Sequence, residues 1–310
     1  MEELDLAIII VTYNGMPWLK KCLDSCGGYS VVVVDNASTD ETVSFIETQY
    51  PEVTIFKQNH NLGFGQANNL GIRYALNQGA AHVFLLNQDA YLVGDCLEDL
   101  LEVSSKNSDF GILSPIHLNG TGDKLDKGFS NYVTYDKNEL FYSDAVLNTF
   151  KAVYQVPFVN AAAWLITKAC LEVVGEFDPI FFHYGEDINF SQRVIFHNFK
   201  IGVVASAFVK HDRESSKIKE GKRFSADYYN NIERRYKMNW ADVSKNEQTI
   251  RQQAQQKINN LNSEIYKSLL KLKFSRFKNL KTEKKLVNTI IKDVLNSRKQ
   301  NAVNKKTLKL

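Results

Sequence analysis

The sequence predicts an α/β fold: a mostly parallel sheet with helices on both faces, followed by a basic helical C-terminal extension. Three observations predict it. Short apolar runs rich in β-branched residues, LAIIIVT at 6–12, SVVVVD at 30–35 and HVFLL at 82–86, read as strands buried on both faces. Segments with helical spacing separate them, and such alternation builds parallel strand–helix units. Past residue 250 the character changes: residues 251–310 contain no Gly or Pro and carry 16 Lys and Arg against 3 Asp and Glu, whereas residues 1–250 carry 22 against 32. The division is placed at 1–215 for the sheet domain and 216–310 for the helical region. With 44% hydrophobic residues the chain can bury one large core or two smaller ones, which excludes a disordered protein.

The elements follow in order. LAIIIVT ends at Thr12, and Pro17 suits the first turn of a helix over WLKKCLDSC that Gly27 and Gly28 stop. After SVVVVD, Ser38-Thr39-Asp40-Glu41 matches a capping box for a helix that runs to Tyr50 and ends before Pro51. VTIFK is the third strand, GQANNLGIRYALNQ the third helix and HVFLL the fourth strand. FGILSP at 110–115 leads into GFSNYVTYDKNELFYSDAV, whose alternation suggests short antiparallel strands or a substrate-covering loop. FVNAAAWLITKACLEVVGEFD supplies a small-residue segment, a short helix and a stop at Gly175. Gly185 precedes a helix that begins with Glu186 and Asp187 and places Phe190, Val194 and Phe196 or His197 on one face. KIGVVASAFVKHD is a strand ending in His211.

Several function classes fall away. Cys22, Cys26, Cys96 and Cys170 have neither paired metal-ligand spacing nor the density of a disulfide framework, so they read as reduced, buried thiols. The start, MEELDLAIIIVTYNG, is acidic where a signal peptide is basic. Its apolar run, Leu6 to Val11, falls far short of the roughly 20 residues that span a bilayer. A cytoplasmic protein is expected. Gly63-Phe64-Gly65 precedes a helix, but Asn68 holds the third glycine position and the first strand is followed by YNGMPW, which argues against a nicotinamide site. A P-loop is absent too.

In open sheets of this kind ligands collect beyond the carboxyl ends of the strands. Thr12-Tyr13-Asn14, Asp35-Asn36 and Asn87-Gln88-Asp89 all lie there, although each alone reads equally well as a turn or cap. Glu186 and Asp187 suit a first helical turn through the macrodipole, while the aromatic approach FFHY would partly bury them and tune one as a base.

The order VTYNG, VVVVDNASTD, NHNLGFGQANNLGI, LLNQDA, GEFDPIFFHYGEDINFSQRV and FVKHD resembles the family-two inverting glycosyltransferases of the GT-A fold, which is Rossmann-like. Within them it is most similar to the bacterial rhamnosyltransferase type, over about residues 6–213. The resemblance implies that Thr12, Tyr13 and Asn14 line the nucleotide pocket and that Asp35 bonds the pyrimidine base, with Asn36, Asn87 and Gln88 at the same strand ends. Gly65 and Asn68 would lie in a loop beside the nucleotide. Asp89 would close a D-x-D-type motif holding Mg2+ or Mn2+ against the diphosphate, with His211 as a further group near the metal. Asp187 would be the general base, beside Glu186. Asn87 stands where the first Asp of a strict D-x-D belongs, leaving one carboxylate.

The implied reaction is metal-assisted transfer of a sugar, rhamnose favoured, from dTDP-rhamnose or a UDP-sugar to a glycan or lipid-linked glycan in bacterial surface-polysaccharide assembly. Transfer of galactose or N-acetylglucosamine from a UDP donor is the alternative within the class, and a non-catalytic nucleotide-sugar-binding scaffold the alternative outside it. In the C-terminal region Ile258, Leu261, Ile265, Leu269 and Leu272, then Leu286, Ile290 and Val294, recur at helical spacing. Three readings follow: packing on the catalytic domain, homo-oligomer formation through paired helices, and docking on an anionic membrane surface at the inner face of the cell membrane. Charge favours the third, and residues 251–310 are then separable from catalysis. No nucleic-acid motif accompanies the lysines, so no nucleic-acid partner is expected.

Overall fold

Parallel pairing of the first four strands organises the molecule. The computed structural model describes residues 5–212 and 221–303. Its first half runs β1 (Leu6–Thr12), α1 (Met16–Ser25), β2 (Ser30–Asp35), α2 (Thr42–Gln49), β3 (Thr54–Lys57), α3 (Phe64–Asn77) and β4 (His82–Asn87). β1 lies between β2 and β4, with Thr12 opposite Asp35 and Val11 opposite Asn87, so the three polar strand ends share one edge. Alternate β1 residues enter different cores. Ala7 and Ile9 face Ile72, Trp164, Phe177 and Phe190, while Ile8 and Ile10 face Leu19, Ile46 and Phe84. Helices therefore cover both faces.

The second half comprises β5 (Ala90–Val93), α4 (Cys96–Lys106), β6 (Phe110–Asn119), α5 (Lys127–Ser130), α6 (Glu139–Leu147), β7 (Val153–Gln155), β8 (Ala163–Thr167), α7 (Lys168–Val174), α8 (Glu186–Phe196) and β9 (Lys200–His211). The sheet order is β3-β2-β1-β4-β8-β6-β9-β5, with β7 on β9. Parallel pairing holds through β4; beyond it β8 runs antiparallel to β4 and β6, and β9 antiparallel to β5 and β7, so the whole sheet is mixed.

Two local expectations are corrected. Residues 127–147 carry helices α5 and α6 rather than short strands, because Asp126 and Asn138 are N-caps: their side chains accept from Phe129 N at 2.8 Å and Phe141 N at 3.0 Å. Ser38 does not cap α2, since its hydroxyl is turned to Asp35; the helix starts at Thr42, whose N–H bonds Asp40 at 3.1 Å.

The C-terminal region forms α9 (Ala226–Trp240), α10 (Glu247–Leu270) and α11 (Phe274–Asn301). The last two make a hairpin in which Leu261, Leu280, Val287, Ile290 and Val294 are enclosed with Trp240 and Phe181. Most of the apolar stripe thus goes to packing within the chain, with Ile258, Ile265 and Leu286 partly buried, while Leu269 and Leu272 at its end stay exposed. Polar contacts seal the junction. Arg193 on α8 donates to Asn189, to the carbonyls of Val174 and Glu176, and to Asn301 of α11 at 3.4 Å. Asn301 in turn donates to Asp178 at 2.6 Å, and Ser297 bonds the same carboxylate. Helix α11 consequently helps to hold α8. Among the described residues no helix is long and apolar enough to cross a membrane.

Replacing Asn301 by Ala leaves Asp178 and Arg193 each short of a buried partner, a loss of about 1–3 kcal/mol. Urea unfolding of Asn301→Ala should show it as a lower midpoint with unchanged slope. An unchanged midpoint would refute the proposed dependence on Asn301.

Candidate active site

The site begins where β4 ends. Only Gln88 and Asp89 separate β4 from β5, and β5 pairs antiparallel with β9 so that Ala90 lies opposite His211. This register brings Asp89 to the end of β9, with His211 Nε2 3.5 Å from Asp89 Oδ1 and its Nδ1 3.8 Å from Asp126 Oδ2. Both ring nitrogens of His211 are buried without a hydrogen-bond partner. His117 stands edge-on to the His211 ring at 6.1 Å, stacks on Phe129 and bonds Ser114 at 3.0 Å. His117 and Asp126 were not singled out from sequence; the D-K-G-F cap was the one local signal for Asp126.

The strand ends on the other side form a single network. Thr12 donates to Asp35 at 3.1 Å, and Ser38 bonds the same carboxylate through its main-chain N–H at 3.0 Å and through its hydroxyl. Asn14 is left-handed at φ 49°, bonds Ser38 through its N–H and accepts from Thr39 N at 2.8 Å. Asn36 donates to Gly63 O at 3.2 Å and accepts from Leu62 N at 3.0 Å. Gln88 clasps the Tyr13 main chain, accepting from its N–H at 2.9 Å and donating to its carbonyl at 3.3 Å. These side chains chiefly brace the loops. A carboxylate offers about four lone-pair sites, so Asp35 retains room for one further donor. Tyr13 presents its ring to solvent, and Asn87 is half-buried with its N–H on Ala162 O at 2.9 Å.

Gly65 and Asn68 are not in a loop. Both are buried in the first turns of α3, where Asn68 bonds Phe64 O at 3.0 Å. A Cβ on Gly65 would lie 2.9 Å from Phe177 and 3.5 Å from the Cβ of Glu186, so this glycine allows helix α3 to approach the start of α8. Gly63, used above only to argue against a dinucleotide site, matters more. It has φ 78°, and a Cβ there would meet the Phe182 carbonyl oxygen at 1.8 Å. Asn69 completes the junction by a two-way bond to the Phe177 main chain, at 2.9 Å in each direction.

Helix α8 starts after Tyr184 and Gly185, both left-handed at φ 65° and 100°. Glu186 is 5% exposed, its Oε2 buried without a partner. Burial pushes its carboxyl up to about 7, the neighbouring Asp187 adds to this, and Arg234 opposes it. Asp187 is half-buried and likewise raised by burial, against main-chain N–H bonds from Ile188 and Ala161. Capping alone does not explain two carboxyls held above their ordinary range. Arg234 from α9 lies over the Tyr184 ring at 5.5 Å, and Phe182 and Tyr184 face solvent.

A mixed α/β sheet with this order, whose strand ends meet a carboxylate–imidazole pair and a buried acidic pair, defines a protein of the GT-A fold. The family description "Glycosyl transferase family 2" matches residues 7–171, more than half the chain, and the chain belongs to that family. It is 27% identical over 204 residues to the low-salt glycan biosynthesis hexosyltransferase Agl10 of Haloferax volcanii, covering 64% of either chain. It is 24% identical over 237 residues to the N-acetylglucosaminyl-diphospho-decaprenol L-rhamnosyltransferase of Mycobacterium tuberculosis, covering 68% of this chain and 77% of that one. Among solved structures, GalNAc-T7 with UDP, GalNAc and Mn2+ superposes at TM-score 0.58 and 17% identity, over 77% of this chain and 50% of that one. The Pyrobaculum calidifontis mannosyltransferase PcManGT with GDP-Man and Mn2+ superposes at 0.53 and 16%, over 96% and 74%.

The raised Glu186 value predicts a pH dependence of stability. A carboxyl held above its unfolded value binds more protons in the folded state, so stability should fall as pH rises from the ordinary glutamate range to about 7. The slope contributed is at most about 1.4 kcal/mol per pH unit. Glu186→Gln should remove that slope in unfolding midpoints compared between about pH 5 and about pH 8; a slope identical to wild type would assign the effect elsewhere.

Proposed function

We propose that the chain is an inverting glycosyltransferase that moves a sugar, rhamnose favoured, from a nucleotide diphosphate to a glycan or lipid-linked glycan. The observation that carries this reading is the Asp89–His211 pair at the carboxyl edge of the sheet, with both imidazole nitrogens orphaned in a buried setting. Among the described residues no group of three or more His, Cys, Asp or Glu is arranged to hold a metal. Asp89 and His211 nevertheless fit a divalent ion completed by phosphate oxygens of the donor, the way Mg2+ is usually held, and the imidazole favours Mn2+ over Mg2+. When bound, such an ion would offset charge on the departing diphosphate.

The chain's own groups do the rest. Tyr13 offers a face for the base and Asp35 a remaining acceptor position, while Asn14, Asn36 and Gln88 hold the loops that carry them. Asp187 takes the proton from the acceptor hydroxyl as its oxygen bonds the anomeric carbon and the sugar–phosphate bond breaks, which inverts the centre in one displacement. Burial raises its pKa and makes it a stronger base than an exposed aspartate, so the pH–rate profile should rise at a higher pH than an exposed aspartate would give. The relatives that act on glycans, one of them a rhamnosyltransferase of a diphospho-decaprenol acceptor, support the sugar and acceptor classes. Structures solved with UDP and UDP-GlcNAc share the fold and leave a UDP-sugar as the competing donor. A scaffold without turnover fits less well, since it has no use for two carboxyls whose burial costs stability.

Two measurements check this. Asp187→Asn should bind donor nearly as wild type yet lose transfer by about 10²–10⁴-fold, the worth of positioned proton abstraction. Glu186→Gln is the paired control: if it alone is inactive the base moves by one residue, and if both variants turn over the pair has no part in the chemistry.

Asp89→Ala should weaken donor binding in the presence of Mn2+, read by thermal shift against dTDP-rhamnose, UDP-galactose and UDP-GlcNAc. A ligand at 100 times its dissociation constant stabilises by about 2.7 kcal/mol, so loss of binding is visible. Equal shifts in mutant and wild type would remove Asp89 from the site.

A further inference from the structure

The turn between α10 and α11 is unlike the rest of the helical layer. Tyr266, Leu270, Leu272 and Phe274 are 63%, 65%, 71% and 64% exposed, and Leu269 adjoins them. None of these apolar residues is buried, although Leu261, Leu280, Val287, Ile290 and Val294 further along the hairpin are enclosed. Leu272 is also left-handed, at φ 50°, a position at a helix end that favours Gly or Asn. A leucine there gives up backbone comfort to hold an isobutyl group in the open.

The charge around the tip is mainly positive. Between Glu264 and Glu283 the sequence contains no acidic residue, and Lys267, Lys271, Lys273 and Lys278 are exposed. Arg276 is paired with Glu264, so it counts less. Beside the tip Phe224, Lys273, Phe274, Arg276 and Asn279 line a shallow groove open to solvent. Along α11 the same sign continues in a second groove, where Lys281, Lys284, Lys285 and Lys292 meet a single acid, Asp293.

We infer that the α10–α11 tip docks on an anionic phospholipid bilayer, with Leu270, Leu272 and Phe274 entering the headgroup–acyl boundary and the flanking lysines facing lipid phosphates. A projecting apolar end ringed by cations matches that surface in both respects: apolar area enters the boundary layer, and each cation gains from the negative potential of the leaflet. A protein partner of matching acidity would satisfy the charge, but the groove beside the tip is shallow, with Phe224 and Phe274 as its apolar lining, and Leu270 and Leu272 are not part of that lining. The docking element is the end of the amphipathic stripe expected from sequence: Leu261, Ile290 and Val294 are core, whereas Leu269 and Leu272 at the turn joining the two helices stay exposed.

The test uses the full chain and vesicles, with no sugar or donor, so it succeeds or fails apart from the transfer reading. Wild type should co-sediment with phosphatidylglycerol-containing vesicles and not with pure phosphatidylcholine, and binding should weaken as salt rises. Leu272→Asn suits the left-handed position, so its unfolding midpoint should hold or rise while vesicle affinity falls several-fold. Lys271→Glu with Lys273→Glu should lower affinity at least tenfold. Phe274→Trp should shift its emission to the blue on adding anionic vesicles. Absence of wild-type binding, tip variants that bind as wild type, or an unshifted Trp emission would each overturn the inference. So would tip variants that alter only self-association in sedimentation velocity, which would make the occupant a second copy.

Discussion

The buried guanidinium of Arg193 is the interaction on which the arrangement of this molecule most depends. It is 1% exposed, and burial lowers its pKa to about 10, which still leaves it charged at neutral pH. A charge so placed is tolerable only if its donors are used. They are, on the Val174 and Glu176 carbonyls, Asn189 and Asn301, with Asp178 near enough to add electrostatic support. One cation thereby fixes the end of α7, the middle of α8 and the last turn of α11. Since α8 begins with Glu186 and Asp187, the position of the acidic pair rests on a contact more than a hundred residues away in sequence, in the region that looked like an independent tail.

That contact explains where reading the sequence succeeded and where it failed. β1, β2 and β9 were legible to the residue because continuous β-branched runs bounded by polar ends have one economical fate in an α/β protein. The acidic start of α8 and the stop at Gly175 were legible for the same local reasons. What joins Asp89 to His211 was not. It is the pairing of β5, four residues long, with the far end of a twelve-residue strand, and so short a segment has no pattern of its own. The α5 and α6 helices were hidden by Asp126 and Asn138, whose capping role shows only when the following turn is already helical. For the basic region the helical pattern was legible and three consequences stayed open, because an apolar stripe does not say which surface covers it; here each helix covers much of the other.

The site combines firm bracing with stored cost. Asn36, Gln88 and Asn69 spend their hydrogen bonds on main-chain groups of neighbouring loops, so the polar residues at the strand ends act first as struts. The β3–α3 connection and the segment before α8 touch at Gly63, where no side chain fits under the Phe182 carbonyl. Any adjustment of the aromatic approach is thus felt at the β3–α3 connection. Against this rigid frame, Glu186 and Asp187 sit in surroundings that penalise their charge. Two adjacent carboxyls raised by burial at a helix start are the pattern expected of a functional centre.

The four cysteines give the molecule a property of a different kind. Cys22, Cys26, Cys96 and Cys170 are all free and buried. Contact with Cys26 and burial raise the Cys22 thiol, burial raises Cys170, and burial takes Cys96 up to about 12. Thiolate, the reactive form, is therefore scarce in the folded state. Cys22, Cys26 and Cys96 lie in the core on one face of the sheet and Cys170 in the core on the other, whereas the enclosed residues of the helical layer include none. Alkylation becomes a clock that keeps separate time on the two faces of the sheet and is blind to the hairpin, so a region that opens alone would do so without leaving a covalent trace.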